Sequence, residues 1–238
     1  MTFVNADCFD WLPTLQRKAR LVILDLPYGM TRNSWDRSPV SLAKLWACLE
    51  RVTDNDACVL AFGAQPFTST LVASNAKHFR YCWVWEKTLA VGHLNSKRRP
   101  LAAHEDVAVF YRKQPTYNPQ MWDCGVRKTV KDRPIGQSPN YGKQSGQRNY
   151  DTTLRYPRSV LRFASDKQRE PLHPTQKPVD LCRYFVRTYT NPGDLVIDPT
   201  AGVASSGVAA LLEGRDFAGC ELDPEYHARG VIRLEAVC

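Results

Sequence analysis

The chain has 238 residues, of which 43% are hydrophobic and 24% charged, so it is long enough to bury a substantial core. It carries 32 Lys and Arg against 24 Asp and Glu, a formal net charge of +8 at pH 7. No run of about 18 apolar residues predicts a membrane span, and no basic-then-apolar signal segment begins the chain. The eight cysteines form no CxxC motif or Cys/His cluster, which favours reduced thiols in a cytoplasmic protein and argues against a metal site.

Strand and helix patterns alternate along most of the chain. Apolar runs predict strands at residues 2–5, 21–24, 57–63, 79–86, 107–112, 194–198 and 216–221. Helices are predicted just after Asp7 and at residues 41–52, 66–74, 178–190, 205–212 and 224–235. This alternation predicts an α/β fold, a Rossmann-like and mainly parallel sheet with helices on both faces. We expect strand 2–5 to complete the sheet beside strand 216–221.

The apolar strand 21–24 is followed directly by Asp25-Leu26-Pro27-Tyr28-Gly29. Open α/β sheets bind ligands at the carboxyl ends of their strands. A carboxylate, a turn carbonyl and an aromatic ring at this edge suit a planar amine, because Asp25 and the carbonyl accept hydrogen bonds while Tyr28 stacks on the ring. A strand-ending turn with a packing tyrosine is the alternative, since Asp and Pro are ordinary turn residues.

A second polar corner follows strand 194–198. Asp198 ends that strand, and a turn through Gly202 leads into helix 205–212, whose N-terminus suits an anion. Glu221 ends the next strand about 20 residues later, where doubly wound folds hold ribose hydroxyls. Neither a phosphate-loop lysine nor a GxGxxG motif is present. The corner therefore favours a ribose-bearing cofactor with a small anionic end.

The positive charge is concentrated in one segment. Residues 97–169 hold 16 basic and 6 acidic residues, whereas the rest of the chain holds 16 and 18. Around residues 114–156 this segment is loop-rich and polar, with interspersed aromatic residues, a composition that suits phosphate contacts and base stacking. A solvated loop region with incidental charge is the alternative. The candidate residues for phosphate contacts with a nucleic acid are Lys97, Arg98, Arg99, Arg127 and Lys128.

Three motifs in this order resemble the amino-methyltransferases of the adenine-N6/cytosine-N4 DNA class. The amine tetrad, D/N/S-P-P-Y in that family, is similar to residues 25–28, and the cofactor loop, of the D-P-F-x-G-S-G type, to residues 198–204. A third element resembles His173-Pro174-Thr175-Gln176-Lys177-Pro178. The motif order is that of the permuted β-type group, and residues 25–29 followed by Asn33-Ser34-Trp35-Asp36 are similar to bacteriophage members. The resemblance spans nearly the whole chain.

The resemblance implies S-adenosyl-L-methionine as cofactor and a flipped-out adenine of double-stranded DNA as substrate. It implies one fold formed by residues 1–95, with the amine motif, and 170–238, with the cofactor loop, and a basic target-recognition insertion at 96–169. The implied catalytic residues are Asp25, Pro27 and Tyr28. The implied cofactor residues are Asp198, Thr200 and Gly202 at the methionine part, Thr175 and Lys177 near its carboxylate, Glu221 on the ribose, and Asp7 at the adenine amine.

Several alternatives remain open at this point. Three of the implied cofactor residues also have a purely structural interpretation. Asp7 could be a helix N-cap, Glu221 could be a surface acid at a strand end, and Lys177 could be a surface cation. Ala204 stands where the family has a second glycine, so its Cβ is expected to crowd the cofactor if the backbone needs a positive φ, and Thr200 replaces an aromatic residue. These departures keep open a DNA-binding protein with a degenerate cofactor site.

The substrate also has alternatives. Asp at the head of the tetrad, where other members have Ser, favours adenine over cytosine-N4. The basic insertion argues against a protein substrate, and RNA methylation is a further rival. Homodimerisation is common in the permuted group and is left open.

Overall fold

The computed structural model describes residues 1–29, 40–134, 147–166 and 175–237. Two compact units are present. The first comprises Met1–Asn118 with Ser159–Cys238, and the second comprises Pro119–Arg158. The second unit begins later and ends earlier than the 96–169 insertion expected from the sequence.

The strands, in chain order, are β1 (Thr2–Asn5), β2 (Ala19–Leu24), β3 (Thr53–Gly63), β4 (Phe79–Val91), β5 (Ala102–Phe110), β6 (Trp122–Pro134), β7 (Gln147–Arg155), β8 (Val160–Phe163), β9 (Leu195–Asp198) and β10 (Asp216–Glu221). Eight of them form the sheet of the first unit, in the order β1-β10-β9-β2-β3-β5-β4-β8. Five of its seven strand pairs are parallel, which confirms the mainly parallel sheet. The N-terminal strand β1 lies beside β10, as predicted.

The helices are α1 (Cys8–Trp11), α2 (Leu42–Val52), α3 (Phe67–Ser74), α4 (Val179–Tyr189), α5 (Ser205–Leu212) and α6 (Pro224–Glu235). The bounds of α5 and α6 agree with the sequence prediction. Asp223 caps α6, because its side chain accepts hydrogen bonds from two backbone N–H groups of the first turn, and Pro224 follows at the first helical position.

Helices cover both faces of the sheet. Leu21 and Ile23 of β2 pack into a core with residues of α4, α5 and α6, whereas Val22 and Leu24 face the opposite core, formed with α1, α2 and α3. Because both faces are buried, the central strands are continuously apolar. This layering leaves the carboxyl edge of the parallel strands as the place where polar side chains meet. None of the helices in the described ranges has the length and apolar character needed to span a membrane.

The second unit corrects the expectation of a loop-rich segment. Its β6 and β7 form an antiparallel hairpin. Large hydrophobic side chains of the hairpin, among them Val126 and Leu154, are exposed, and none of its described side chains is buried. Because neither face of the hairpin packs on a core, its sequence need not alternate between apolar and polar residues. For this reason period-two patterning did not reveal the strands.

Candidate active site

A cavity of about 680 Å³ lies at the carboxyl edge of the sheet in the first unit. Every catalytic and cofactor residue predicted from the sequence lines it: Asp7, Asp25, Pro27, Tyr28, Thr175, Lys177, Asp198, Thr200, Gly202 and Glu221. The structure thus brings together residues that lie up to 214 positions apart in the chain, because β1, β2, β9 and β10 are neighbours in the sheet.

Asp25 follows β2 and is held by a lysine. Lys177 Nζ donates to both carboxylate oxygens of Asp25, at 2.7 and 2.8 Å, and Tyr28 Oη donates to Oδ1 at 3.2 Å. Burial raises the pKa of Asp25, and the ammonium of Lys177 opposes that rise. Both carboxylate oxygens are therefore fixed at the cavity wall.

Lys177 belongs to a chain of ion pairs. Its side chain is only 7% exposed, so its interpretation as a surface cation is wrong. Its Nζ also lies 3.5 Å from Oε2 of Glu105, while Lys87 Nζ lies 2.6 Å from Oε1 of the same carboxylate. Burial acts to raise the pKa of Glu105, but Lys177 and Lys87 bring it below its usual value. Although burial acts to lower the pKa of Lys177, Asp25 and Glu105 raise it. Two cations thus balance two carboxylates in this chain.

The ring of Tyr28 faces a second aromatic residue that was not predicted from the sequence. Tyr28 and Phe67 stack with centroids 5.0 Å apart and planes at 20°. A pocket of about 290 Å³ beside them shares Leu26, Pro27 and Tyr28 with the lining of the main cavity. Its lining is almost wholly apolar, so it suits a planar ring better than a charged group.

Asp198 has a different environment from that of Asp25. Its Oδ2 accepts a hydrogen bond from Ser206 Oγ at 2.5 Å, and its Oδ1 accepts one from the backbone N–H of Thr200 at 3.0 Å. No cationic side chain of the described residues forms an ion pair with it. Burial raises the pKa of Asp198 to about 7. At neutral pH this carboxyl is therefore poised between its neutral and charged forms.

Glu221 is positioned by two backbone donors. Its Oε2 accepts from Gly202 N at 2.7 Å and its Oε1 from Asp223 N at 2.8 Å. Burial raises the pKa of Glu221, a half-buried residue that lines the cavity. Gly202 has φ +54°, a conformation that favours glycine, and its turn places the start of α5 beside the carboxylate.

Several polar atoms of the lining have hydrogen-bonding capacity that the protein does not use. Thr200 Oγ1 and both amide atoms of Gln176 are buried, and within the described residues none of them has a hydrogen-bond partner. Gln176, which lies between Thr175 and Lys177 and was not predicted as a site residue, is only 4% exposed. Unsatisfied buried polar atoms are costly, so their clustering in one cavity fits a polar ligand such as an amino-acid-bearing nucleoside.

The geometry bears on two expectations about individual residues. Asp7 caps α1, its Oδ1 accepting from Phe9 N at 2.7 Å, which confirms the N-cap interpretation. It also lines the cavity, and its contact with the adenine amine of a cofactor stays a prediction. Ala204 does have a positive φ, +58°, but it is fully buried and does not line the cavity. A Cβ added to Gly230 would lie 3.3 Å from the Cβ of Ala204, which places that methyl group in the core. The methyl group of Ala204 therefore does not line the cavity, and its effect on cofactor affinity stays a prediction.

The candidate DNA-binding residues are divided between the two units. Lys97, Arg98 and Arg99 are exposed between β4 and β5 in the first unit. Arg127 and Lys128 lie on β6 in the second unit, where Arg127 donates to both carboxylate oxygens of Asp151 at 2.6 Å. Of the quoted motif residues, 33–36, 173 and 174 lie outside the described residues.

Comparison with known proteins agrees with this geometry. The model of the N6/N4 DNA methylase family matches residues 19–231. The type II methyltransferase M1.MboII of Moraxella bovis is 25% identical over 241 residues, covering 92% of this chain and 91% of that protein. The crystal structure of the M1.HpyAVI–SAM complex aligns with a TM-score of 0.66 and 22% identity, covering 98% of both chains. The cytosine-N4-specific PvuII DNA methyltransferase aligns with a TM-score of 0.67 and 15% identity, covering 99% of this chain and 89% of that one. The fold is that of S-adenosylmethionine-dependent methyltransferases, and the chain belongs to the N6/N4 DNA methylase family.

Proposed function

We propose that this protein is a DNA adenine-N6 methyltransferase that acts on a flipped-out adenine of double-stranded DNA. The observation that carries the proposal is the joint position of Asp25 and Tyr28 in one cavity with Asp198 and Glu221. The first pair suits a planar amine, and the second suits an amino-acid-bearing nucleoside. When bound, S-adenosylmethionine supplies an electrophilic methyl group.

The target base has to leave the duplex, because its amine cannot otherwise reach a cavity at the sheet edge; flipping costs a few kcal/mol. Asp25 and the carbonyl of Leu26 or Pro27 accept hydrogen bonds from the amine, which localises the nitrogen lone pair. Tyr28 packs on the ring and orients it.

Lys177 and Glu105 act on Asp25 and not on the base. Lys177 favours the ionised form of Asp25 and holds both carboxylate oxygens, so the carboxylate is already oriented when the amine nitrogen develops positive charge. The methylated nitrogen is acidic and loses its proton readily, so no strong base is required.

For the cofactor side, we assign Asp198, Thr200 and Gly202 to the methionine part and Glu221 to the ribose hydroxyls. Thr175 and Asp7 are assigned to the carboxylate and the adenine amine respectively. Lys177, expected from the resemblance to lie near the methionine carboxylate, donates to Asp25 in this structure, so we assign it to the amine side instead. Residues 96–169 are proposed to recognise the DNA sequence, and the cytoplasm is the proposed location.

Adenine is proposed over cytosine because Asp25, and not Ser, heads the amine tetrad. The test is to incubate the protein with S-adenosylmethionine and unmethylated DNA of mixed sequence, digest the DNA to nucleosides and identify them by mass spectrometry. N6-methyladenine is the expected product, and Asp25→Asn should form none. N4-methylcytosine would overturn the choice of base. Absence of any methylated nucleoside, with DNA binding intact, would contradict methyl transfer and support the degenerate-site alternative.

A further inference from the structure

A two-stranded ribbon extends beyond the main sheet in the first unit. β5 pairs with β3 as far as Asp106, opposite Gly63, but it continues to pair with β4 as far as Ala102, opposite Val91. At about 3.3 Å per residue, the four residues beyond the last β3 pair carry β5 roughly 13 Å past the end of β3. On its other side β4 pairs with β8 as far as Lys87, so the ribbon is two-stranded beyond that residue. Every residue from 88 to 104 is exposed except Asn95, which is partly buried.

The ribbon leaves the sheet at the edge where the cavity lies. β3 runs parallel to β2 and ends at this edge, and β5, antiparallel to β3, begins beyond it. Glu105, at the root of the ribbon, lines the cavity and lies in the ion-pair chain that reaches Asp25. The ribbon therefore rises from the rim of the candidate active site.

The tip of the ribbon is an ordered turn that presents an apolar side chain. Gly92 has φ +93° and opens a short 3-10 turn, His93–Asn95. The carbonyl of Asn95 accepts hydrogen bonds from Arg98 N at 2.8 Å and Arg99 N at 3.0 Å. Leu94 is 89% exposed within this turn. The backbone hydrogen bonds fix the turn, so the exposure of Leu94 results from its position in the fold.

The surroundings of Leu94 favour nucleic acid as the partner. Lys97, Arg98 and Arg99 follow the turn, are exposed, and form no ion pair within the described residues. Three such cations suit phosphates, and a large exposed aliphatic side chain suits an apolar surface such as the faces of stacked bases. A soluble binding partner rich in acidic groups would satisfy the cations but leave Leu94 in water.

We propose that Leu94 is a wedge that enters the base stack of the DNA and fills the gap left by the flipped nucleotide, while Lys97, Arg98 and Arg99 hold the flanking phosphates. This inference rests on the proposed function. Flipping breaks base pairing and stacking, and an inserted apolar side chain replaces part of the lost stacking. A wedge of this kind matters only when the target base starts out paired.

The test compares Leu94→Ala with wild type on two duplexes that share the recognition site, one with the target base paired and one with it opposite a mismatched base. On the paired duplex kcat/KM should fall on the order of tenfold or more, because flipping loses its wedge. On the mismatched duplex it should stay within about twofold, since that base is already unstacked. Leu94→Met should recover most of the activity on the paired duplex.

Leu89→Ala is the matched control, because Leu89 is 63% exposed on the strand of the same ribbon but not at its tip. It should leave both activities unchanged. Alanine at Lys97, Arg98 and Arg99 should instead weaken binding of both duplexes and lower its salt dependence.

An equal loss on both duplexes, or no loss on either, would overturn the wedge while leaving the proposed function intact. So would a solution dimer of the wild type that Leu94→Ala dissociates, because Leu94 would then be covered by a second copy of this chain. Wild-type protein that methylates neither duplex would overturn the proposed function, and the wedge with it.

Discussion

Two carboxylates end neighbouring strands of the sheet, and their surroundings differ. Asp25 follows β2 and has an ammonium at 2.7 Å. Asp198 ends β9, the neighbour of β2, and within the described residues it hydrogen-bonds only a hydroxyl and a backbone N–H. The Asp25 side chain is 24% exposed and Asp198 is 4% exposed, and burial raises the pKa of both carboxyls. Among the described residues, only Asp25 has an ion-paired cation that opposes this rise.

This difference fits two kinds of ligand. Asp25 already has its counter-ion, so it can accept hydrogen bonds from a neutral amine without an unbalanced charge in the cavity. Asp198 has no counter-ion among the described residues, so a ligand that carries positive charge gains an ion pair there when the carboxyl ionises. S-adenosylmethionine carries both an ammonium and a sulfonium group. On the proposed function, one sheet edge thus holds an amine corner at Asp25 and a cofactor corner at Asp198.

After loss of the Asp25 carboxylate itself, the largest expected effect comes from removing its counter-ion. Lys177→Met leaves Asp25 and Glu105 buried without their shared ammonium, so one of them takes up a proton at neutral pH. We expect kcat to fall on the order of 100-fold, the scale seen when a preorganised charge is lost. The remaining activity should rise with pH, because without the ammonium of Lys177 the carboxyl of Asp25 ionises only at a higher pH. Initial rates from about pH 6 to about pH 9 measure both effects.

Stability has to be separated from function in this variant. Breaking a buried ion pair costs about 3–5 kcal/mol of unfolding free energy. Glu105 keeps Lys87 at 2.6 Å in this variant, so Asp25 is the carboxylate left without a cation. Adding Asp25→Asn to Lys177→Met removes that charge and should restore part of the loss, measured by urea unfolding, without restoring kcat. Unchanged kcat in a folded Lys177→Met protein would contradict the role of Lys177.

A smaller, pH-dependent effect is expected at Asp198. Its folded pKa of about 7 lies above the usual 3.8, so the folded protein holds a proton that the unfolded chain releases. The stability contributed by this proton is present below about pH 4 and is lost as the pH rises to about 7, a change of about 4 kcal/mol at most. Asp198→Asn cannot ionise, so its stability relative to wild type should improve between about pH 5 and about pH 8 in urea titrations.

Cofactor binding should show the opposite slope at the same carboxyl. The wild-type protein should bind S-adenosylmethionine more tightly as the pH rises through about 7, because the ionised Asp198 pairs with a cationic ligand. Asp198→Asn should bind more weakly, with an affinity nearly independent of pH. Calorimetric titrations about one pH unit below and about one unit above that value measure the cofactor affinity of both proteins. An affinity that changes equally with pH in the two proteins would contradict a cofactor contact at Asp198.

The smallest effect is expected at a single hydroxyl. Thr200 Oγ1 and Thr68 Oγ1 are both buried without a hydrogen-bond partner among the described residues, but only Thr200 lines the cavity. Valine at either position removes an unsatisfied polar atom, so both variants should melt at or slightly above the wild-type temperature. Only Thr200→Val should reduce the thermal stabilisation given by S-adenosylmethionine, corresponding to a few-fold weaker affinity. Equal cofactor-induced shifts in both variants would contradict a cofactor contact at Thr200.

The sequence was most informative where burial imposes a pattern. The strands ending at Asp25, Asp198 and Glu221 are apolar on both faces, so their ends and the turns that follow could be located. Helices α5 and α6 have clear starts in the small-residue turn and in Asp223-Pro224. The parallel sheet followed from the alternation of these elements.

The ion-pair chain could not be predicted in the same way. Glu105 and Lys87 lie just outside the predicted strands 107–112 and 79–86, because the ribbon formed by β4 and β5 extends into polar, exposed residues. Which of these side chains meets Lys177 depends on antiparallel register and on a bulge between Glu86 and Val91. The hairpin of the second unit was missed because its described side chains are not buried in a core.

The division between the two corners is tested most directly by Asp25→Asn and Asp198→Asn side by side. Each purified variant is titrated with S-adenosylmethionine by calorimetry and then assayed for single-turnover methyl transfer at saturating cofactor. We predict that Asp25→Asn binds the cofactor within about threefold of wild type but transfers methyl at least roughly 1000-fold more slowly. Asp198→Asn should bind the cofactor on the order of tenfold more weakly and recover much of its rate at saturation. Loss of cofactor binding in a folded Asp25→Asn protein would contradict the account.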